Sequence, residues 1–583
     1  MKRFQEFVEN VDKVAALKAK QKATVDKFKS TSKPTPVQKP ERKVHSGDID
    51  TQNMVAAKQA KAKAMAKIIK NVDIQNIELD SEQTLWTYCA LDCAVTLEIW
   101  QKIKQELDNT TTNTYKFELD SLKPAMAMML KGLRVDLEAV KNMRAPLKNT
   151  RVKLERMLNL FANAATGKDL NHASPKQLQN LFYVHLGIPK VISYKKGKQK
   201  ISTDREALEF MRENYPRAKP FCNAILALRD IDKQLGVLDT DRDGDNRIRC
   251  SYNVAGTETG RWSSSEAPWG TGTNLQNITK DLREIFIPDE GMTMFYADLE
   301  QAESRVVAYL TGDENYINAC ESGDLHTTVV KMVWKNMGWS GDPAQERELA
   351  ENPYYLQFSF RDMCKRAGHG TNYGLSATSL ARHLKIKVAH ATRFQLLYYG
   401  GVVALESVNR WHKQDSKAGF DELLAYGKVY GEKIKYLDVP GAFPGIRKWH
   451  DSIANELSNT GTLTTPLGRR RQFWGRLNDA TTLRGAIAYV PQSTIGDLLN
   501  VGLYRVWNEL RDEGVQVLGQ VHDAILGQVP TEKVDELMPK IINCMTNPMT
   551  VHDRQLVIPS SVEVGNSWKN LKTWKGGHND TNI

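Results

Sequence analysis

Apolar residues recur at two different periods along this chain. From Leu79 the stretch LDSEQTLWTYCALDCAVTLEIWQKIKQEL carries them at helical spacing, which predicts one or two helices. Residues 115–235 continue in long helical patterns, such as FELDSLKPAMAMMLKGLRVD and ATGKDLNHASPKQLQNLFYVHLGI. The first β-like texture comes at RIRCSYNV (247–254), followed by MTMFYADL (292–299). VQVLGQVHDAILGQV (515–529) predicts two strands joined by a turn around His522 and Asp523. Ahead of Leu79 the pattern dissolves. Residues 1–29 and 54–70 are Ala/Lys-rich and helix-prone, and STSKPTPVQKPERKVHSGD between them predicts an extended linker. No internal repeat is present. Helices, then strands interleaved with helices, then a closing hairpin predict an α+β chain of several lobes.

With 583 residues, the chain has length for roughly three to five compact units. Hydrophobic residues at 41% and charged residues at 26% give the balance of a soluble globular protein, and no run of 18 apolar residues exists to span a membrane. The opening MKRFQEFVENVDKV lacks the apolar segment of a secretory leader, and its acidic residues argue against a transit peptide. Seven scattered cysteines without a CxxC pair predict neither a disulfide framework nor a zinc site, so a reducing cytoplasm is the expected compartment. Cys89 and Cys93 read as core thiols. DRDGDNR (241–247) has the front of a calcium loop, but Tyr252 stands where the bidentate Glu belongs, so a surface turn is expected.

Charge changes the picture more. The net +11 is concentrated in residues 1–70, which hold 17 Lys/Arg against 7 Asp/Glu. The other 513 residues hold 63 basic against 62 acidic. A basic arm attracts nucleic acid, or merely solvates a linker; charge alone does not choose between them.

Candidate chemistry clusters in three places. Asp298 ends an apolar strand, and Asp523 lies in the predicted turn of the closing hairpin. A carboxylate ending an apolar strand is costly to bury unless paired or metal-bound, and two on adjacent strands suit two Mg²⁺ ions ~3.5–4 Å apart. In RDMCKRAGHGTNYG, Arg361, Lys365, His369 and Tyr373 recur every four residues and form one helix stripe. Two cations at its N-terminal end suit a triphosphate, Tyr373 offers a flat face to a base or sugar, and Gly374 permits close approach. His326 in GDLHTTVV is a further phosphate partner. TETGRWSSS (257–265) and TNLQNI (273–278) gather side chains that read minor-groove acceptors. GRRRQFW and RGAIAYVPQSTIGD add Arg469, Arg470, Arg471, Arg484 and Gln492, whose generic role is phosphate contact.

These segments, in this order, resemble family-A DNA polymerases. DLEQAESR (298–305) is similar to motif A, RDMCKRAGHGTNYG to motif B and QVHDA (520–524) to motif C. TGRWSSS…NLQNI, GRRR and VEVGNSW (562–568) also match in order, and SPKQLQNLFYVHLGIP and STDREALEFM resemble the thumb side. The resemblance covers roughly residues 79–568. It implies an α+β right hand of palm, fingers and thumb behind a basic arm. The implied division is arm and linker 1–75, exonuclease remnant 76–115, thumb 116–250, palm 251–325, fingers 326–478 and palm again 479–583. It implies catalysis by Asp298 and Asp523, which hold two Mg²⁺ ions together with the Leu299 carbonyl. Glu303, His326, Arg361, Lys365, His369 and Tyr373 would bind the deoxynucleoside triphosphate, with Glu303 excluding a ribose 2′-hydroxyl. Arg261, Asn274, Gln276, Arg484, Gln492 and His522 would contact primer–template DNA.

The departures are specific. Ala524 replaces the Glu that usually follows the motif C Asp, His369 replaces Phe or Tyr, and Ala488 replaces an Asn. APWGTG enlarges the loop after Arg261. YCALD (88–92) resembles the third exonuclease motif, yet DID (48–50) has no strand before it, so no 3′–5′ exonuclease is expected of this chain alone. A separate exonuclease or processivity protein is a further expected partner, and the layout resembles that of a phage replication enzyme in a host cytoplasm. A single-subunit RNA polymerase shares the two Asp, Lys365 and Tyr373, but Glu303 and TGRWSSS…NLQNI speak against it. A silent nucleic-acid-binding protein would not need Asp298, Asp523, Arg361 and Lys365 together. Deleting residues 1–70 is expected to flatten the salt dependence of DNA binding while leaving single-turnover chemistry intact, measured by titration at several ionic strengths; an unchanged slope would leave the arm as a solvated linker.

Overall fold

The computed structural model describes residues 81–195, 198–267, 270–415 and 420–576. The basic arm, its linker and DID at 48–50 lie outside the described residues, as does part of APWGTG. The chain divides into two units, one ending at Gln105 and one beginning at Glu106. In the first, α1 (Ser81–Ile103) is the helix predicted from Leu79 onward. Cys89 and Cys93 on it are exposed, which corrects their reading as core thiols. The physical reason is that Leu85 and Trp86 of the same helix are exposed too, so no core forms around the sulfurs. Asp92 is also exposed.

The second unit begins with α2 (Asn109–Lys131), capped by Asp108, whose side chain accepts from the Thr111 amide at 2.8 Å. After β1 (Leu133–Val135) comes the 30-residue α3 (Leu137–Thr166). The hairpin of β2 (Ile192–Lys195) and β3 (Lys198–Ile201) precedes α4 (Arg205–Asn214) and α5 (Lys219–Leu238). These strands are earlier than the first β texture of the sequence, because β1 has too few residues to show a period and the lysines of β2–β3 mask theirs. α3, α4 and α5 close a small separate core with Leu158, Ala162, Leu208, Met211 and Ile225. RIRCSYNV yields only short strands, among them β4 (Ser251–Asn253), which pairs with β5 (Ser263–Ser265). DRDGDNR is a turn in which Arg249 pairs with Asp243 and Asp245, so two of its three acids are neutralised within the chain, while Arg247 pairs with Asp289.

The centre of the unit is a five-stranded antiparallel sheet. Its first strand, β6 (Met292–Leu299), matches the predicted span. Two helices of the site follow, α6 (Ala302–Thr311) and α7 (Leu325–Val333), and then the stripe helix α8 (Phe360–Asn372). α9 (Val388–Tyr399) leads into a small sheet of β7 (Gly401–Ala404), β8 (Lys428–Tyr430) and β9 (Tyr436–Val439). α10 (Pro444–Thr460) and the long α11 (Ala480–Leu510) return the chain to the main sheet. There β10 (Gln516–Val521) and β11 (Ala524–Pro530) form the predicted hairpin, followed by α12 (Val534–Met545), β12 (Ser560–Gly565) and β13 (Leu571–Thr573). The strand order is β10-β11-β6-β12-β13. β10 and β11 are buried along nearly their whole length, which explains their unbroken apolar run. α12 packs on β6, β11 and β12, while α2 and α11 pack against β10.

The arginine run GRRR corrects a sequence expectation. Arg469 is buried and donates to Asp497 of α11 at 2.8–3.0 Å and to Glu118 of α2 at 2.5 Å. Arg470 pairs with Asp108 and Arg471 with Glu258, with Arg471 also stacked 4.4 Å over Phe473. Arg469 thus braces α2 against α11 rather than offering a bare phosphate contact, because a buried guanidinium group needs internal carboxylates. Asp497→Ala leaves Arg469 buried beside a single carboxylate and is expected to cost about 3–5 kcal/mol of unfolding free energy in a urea titration. A loss within 1 kcal/mol of zero, roughly the value for an exposed pair, would show that the pair is not structural.

Candidate active site

Strand register brings the two aspartates together. Asp298 near the end of β6 lies directly opposite Ala524, the first residue of β11. The turn before β11 is His522–Asp523, and His522 adopts a left-handed φ of 55°, which His tolerates better than most side chains. The carbonyl of Asp523 then accepts the Leu299 amide at 3.3 Å. Burial, then the charge of Asp523 and of Glu563 and Glu300, pushes the Asp298 carboxyl up to about 6. Burial also raises Asp523, with Arg261 opposing and Glu303 adding to the rise. Arg261 Nη2 lies 3.2 Å from Asp523 Oδ1 and 3.6 Å from Glu303 Oε1.

Beyond β6 the chain turns sharply at Gln301, φ 54°, into α6, which places Glu303 in that helix's first turn. α8 faces it. Ser359 caps α8 by accepting from the Asp362 amide at 3.0 Å. His369 Nδ1 is 2.9 Å from Glu303 Oε2, and its ring meets Tyr373 edge-on at 4.9 Å. The Glu303 hydrogen bond raises the His369 pKa against the opposing effect of burial. For Glu303, burial pushes up, but the His369 bond and charge and then Arg261 bring it below the ordinary carboxylate value. Burial raises Tyr373. Gly374 has φ 68°, and a Cβ there would lie 3.1 Å from Ile487. At the other end of the stripe, Arg361 pairs with Asp324 at 3.2 Å and Glu351 at 3.6 Å. Burial, and then the Arg361 and Lys365 cations, push the pKa of His326 on α7 below its ordinary value.

Asp298, Leu299, Glu303, His326, Lys365, His369 and Asp523 line one cavity of about 280 Å³. Among the described residues no cluster of three or more His, Cys, Asp or Glu forms a closed metal site. Asp298, Leu299 and Asp523, the residues expected to hold metal, all line the cavity. Two half-buried carboxylates at neighbouring strand ends that both line the cavity fit divalent cations, which would offset the cost of burying their charge.

Arg484, Gln492, Asn274, Gln276 and His522, expected to contact primer–template DNA, are not among the residues that line this cavity. Arg484, Ala488 and Gln492 are four apart on a half-buried stripe of α11, and Ala486, Ile487, Tyr489, Val490 and Pro491 between them are buried. Asn274 spends its side chain on Ser264 and on the Gln276 amide, at 2.6–3.0 Å, so it shapes the loop that carries Gln276. His522 is exposed at the hairpin tip. Sequence reasoning missed Asp324, although it stands two residues before His326 in the quoted GDLHTTVV. It also missed Glu351 and the bond of Arg261 to Asp523, which join segments far apart in the chain and leave no local period.

The family model of DNA polymerase family A matches residues 138–435 and 436–570. The chain belongs to DNA polymerase family A. It is similar to DNA polymerase I of Synechocystis sp., with 26% identity covering 84% of this chain and 46% of that protein. It is similar to the thermostable DNA polymerase I of Thermus aquaticus, with 25% identity covering 74% and 45%. The chain spans about half the length of the curated relatives it matches. Among solved structures, the POL domain of Pol1 from M. smegmatis, in complex with DNA primer-template and dNTP, matches with TM-score 0.56 and 25% identity over 78% of this chain and 70% of that chain. The α+β fold is thus that of a family-A right-hand polymerase. Among the described residues no helix is long and apolar enough to cross a membrane.

The Glu303–His369 pair gives this family-A site a pH signature. The His369 pKa is raised and that of Glu303 lowered, so the charged pair is complete between them and weakens as pH climbs through the raised His369 value. With Glu303 in its expected role of excluding a ribose 2′-hydroxyl, His369→Phe should loosen it and lower discrimination against ribonucleotides by about two- to fivefold, the range of a part-exposed pair. Wild type should drift toward the variant between pH 6.5 and pH 9 in single-nucleotide incorporation assays. Equal selectivity at both pH values in both proteins would remove His369 from the gate.

Proposed function

We propose that this chain is a template-directed DNA polymerase acting in phage DNA replication. The observation that carries the reading is the convergence of Asp298 and Asp523 on one cavity with the cationic stripe of α8. In this reading residues 116–250 are the thumb, 251–325 and 479–583 the palm and 326–478 the fingers. Lys365, Arg361 and His326 receive the triphosphate, and Tyr373 closes the pocket beside the templating base. Arg361 exchanges its carboxylate partners Asp324 and Glu351 for phosphate oxygens, a replacement of one charge-assisted contact by another. Glu303, held by His369, fills the space a 2′-hydroxyl would need.

Asp298, Asp523 and the Leu299 carbonyl would hold two Mg²⁺ ions, which when bound supply charge neutralisation at the reacting phosphate. The chain's own residues do the positioning. Arg261, Gln276, Arg484, Gln492 and His522 align the primer terminus, with Asn274 fixing the loop beneath Gln276. The primer 3′-oxygen bonds to the α-phosphorus, the bond from that phosphorus to the bridging oxygen breaks, and pyrophosphate leaves with that electron pair. A separate exonuclease or processivity protein is the further partner of this reading.

Asp523→Ala is expected to abolish extension of a labelled primer, by at least about a thousandfold, while primer–template binding survives. Extension at the wild-type rate by this variant would refute the site. Wild-type extension should also vanish on chelation of divalent ions and return with Mg²⁺.

A further inference from the structure

The small sheet β7-β9-β8 displays a face that no part of the proposed reaction uses. Its register is Ala404 opposite Tyr436 and Tyr436 opposite Tyr430, with Val402, Asp438 and Lys428 forming the next row. Leu437 and Val439 point the other way and are buried. Tyr430 and Tyr436 are 50% and 36% exposed, and their rings stack at 5.7 Å with 30° between planes. The connecting turn between them is also exposed and carries Ile434, Lys433 and Lys435. Lys428, Lys433 and Lys435 form no ion pair among the described residues. Against them stand Glu432 and Asp438, the latter opposite Lys428 in register.

An exposed, pre-stacked aromatic pair ringed by free lysines has the chemistry of a base-stacking platform. Every nucleobase has a flat face, so such a platform binds single strands without reading sequence. A duplex hides those faces; a single strand offers them. A purely apolar protein partner would leave the three ammonium groups without counter-charge.

The root of this sheet is tied to the nucleotide end of the site. Gly400, with φ 84°, turns α9 into β7, and its carbonyl accepts from Arg447 of α10 at 2.8 Å. Three residues on, His450 Nε2 lies 2.8 Å from the carbonyl of Asn372, next to Tyr373. One turn of α10, about 5 Å of rise, therefore links the hairpin's base to the Tyr373 end of α8.

We infer that the Tyr430/Tyr436 face binds the single-stranded template ahead of the active site. This rests on the polymerase reading, in which unpaired template enters beside Tyr373. The hairpin guides that strand by stacking and by lysine–phosphate attraction, and it takes no part in the chemistry.

Two primer–templates separate the two readings, one with a template overhang of about 2 nucleotides and one of about 12, long enough for a site of several bases. Wild type should bind the longer overhang about tenfold more tightly by fluorescence anisotropy, a gain in the range of one or two stacked bases. Tyr430→Ala/Tyr436→Ala should lose most of that gain yet extend the short-overhang primer at the wild-type rate. Tyr430→Phe/Tyr436→Phe, which keeps both rings, should retain it. An equal long-overhang gain in wild type and the alanine variant overturns the proposal and leaves the face to a protein partner. Failure of wild type to extend either substrate would instead sink the polymerase reading itself.

Discussion

Two carboxylates at the ends of neighbouring strands repel each other, and the site is organised around that repulsion. Asp298 and Asp523 are brought together by the β6–β11 register and by a tight turn at His522. Burial and mutual charge destabilise their ionised forms, and the internal cation answering them is Arg261, 3.2 Å from Asp523. Arg261 is itself placed by a buried polar chain. Its neighbour Gly260 accepts from Asn500 at 3.3 Å, Asn500 accepts from Gln520 at 2.7 Å, and the Gln520 amide donates to Tyr252 at 3.2 Å. Gln520 lies three residues before Asp523, so one satisfied network fixes both the cation and the carboxylate.

The same logic extends along α8. Each charged group of the stripe that faces an acid is already paired: Arg361 with Asp324 and Glu351, His369 with Glu303. A partly buried cation without a partner would be costly, so Asp324 and Glu351 stand by Arg361 in the place where the proposed substrate would bring phosphate. Exchanging one for the other keeps the charge balance while the ligand changes. The site is thereby pre-shaped without standing open as an uncompensated positive patch.

Rigidity comes from what surrounds the site. β10 and β11 are buried on both faces, α12 and α11 pack against the sheet, and the Arg469–Asp497–Glu118 cluster ties α2 to α11. A frame of this kind holds reacting groups at fixed distances, which is most of what phosphoryl transfer asks of a protein.

Much of this was legible in the chain. The strand 292–299, the hairpin around His522 and Asp523, and the four-residue stripe of α8 all follow from local periodicity, which backbone geometry fixes at short range. Asp298, Lys365, His369 and Asp523 could be singled out from their places within such elements, whereas Glu303 was named only through the resemblance to the family; the fold places all five on one cavity. What local pattern could not decide was which charges meet. Arg469 looked like a phosphate contact until the fold buried it against Asp497 and Glu118, and Cys89 and Cys93 looked like core thiols until α1 left them exposed. His369 pairing with Glu303, Asp324 with Arg361, and Arg261 with Asp523 join segments tens to hundreds of residues apart. Sequence periodicity reports the face a side chain occupies on its own element; only the packing of elements determines which charge that face meets and whether water remains between them.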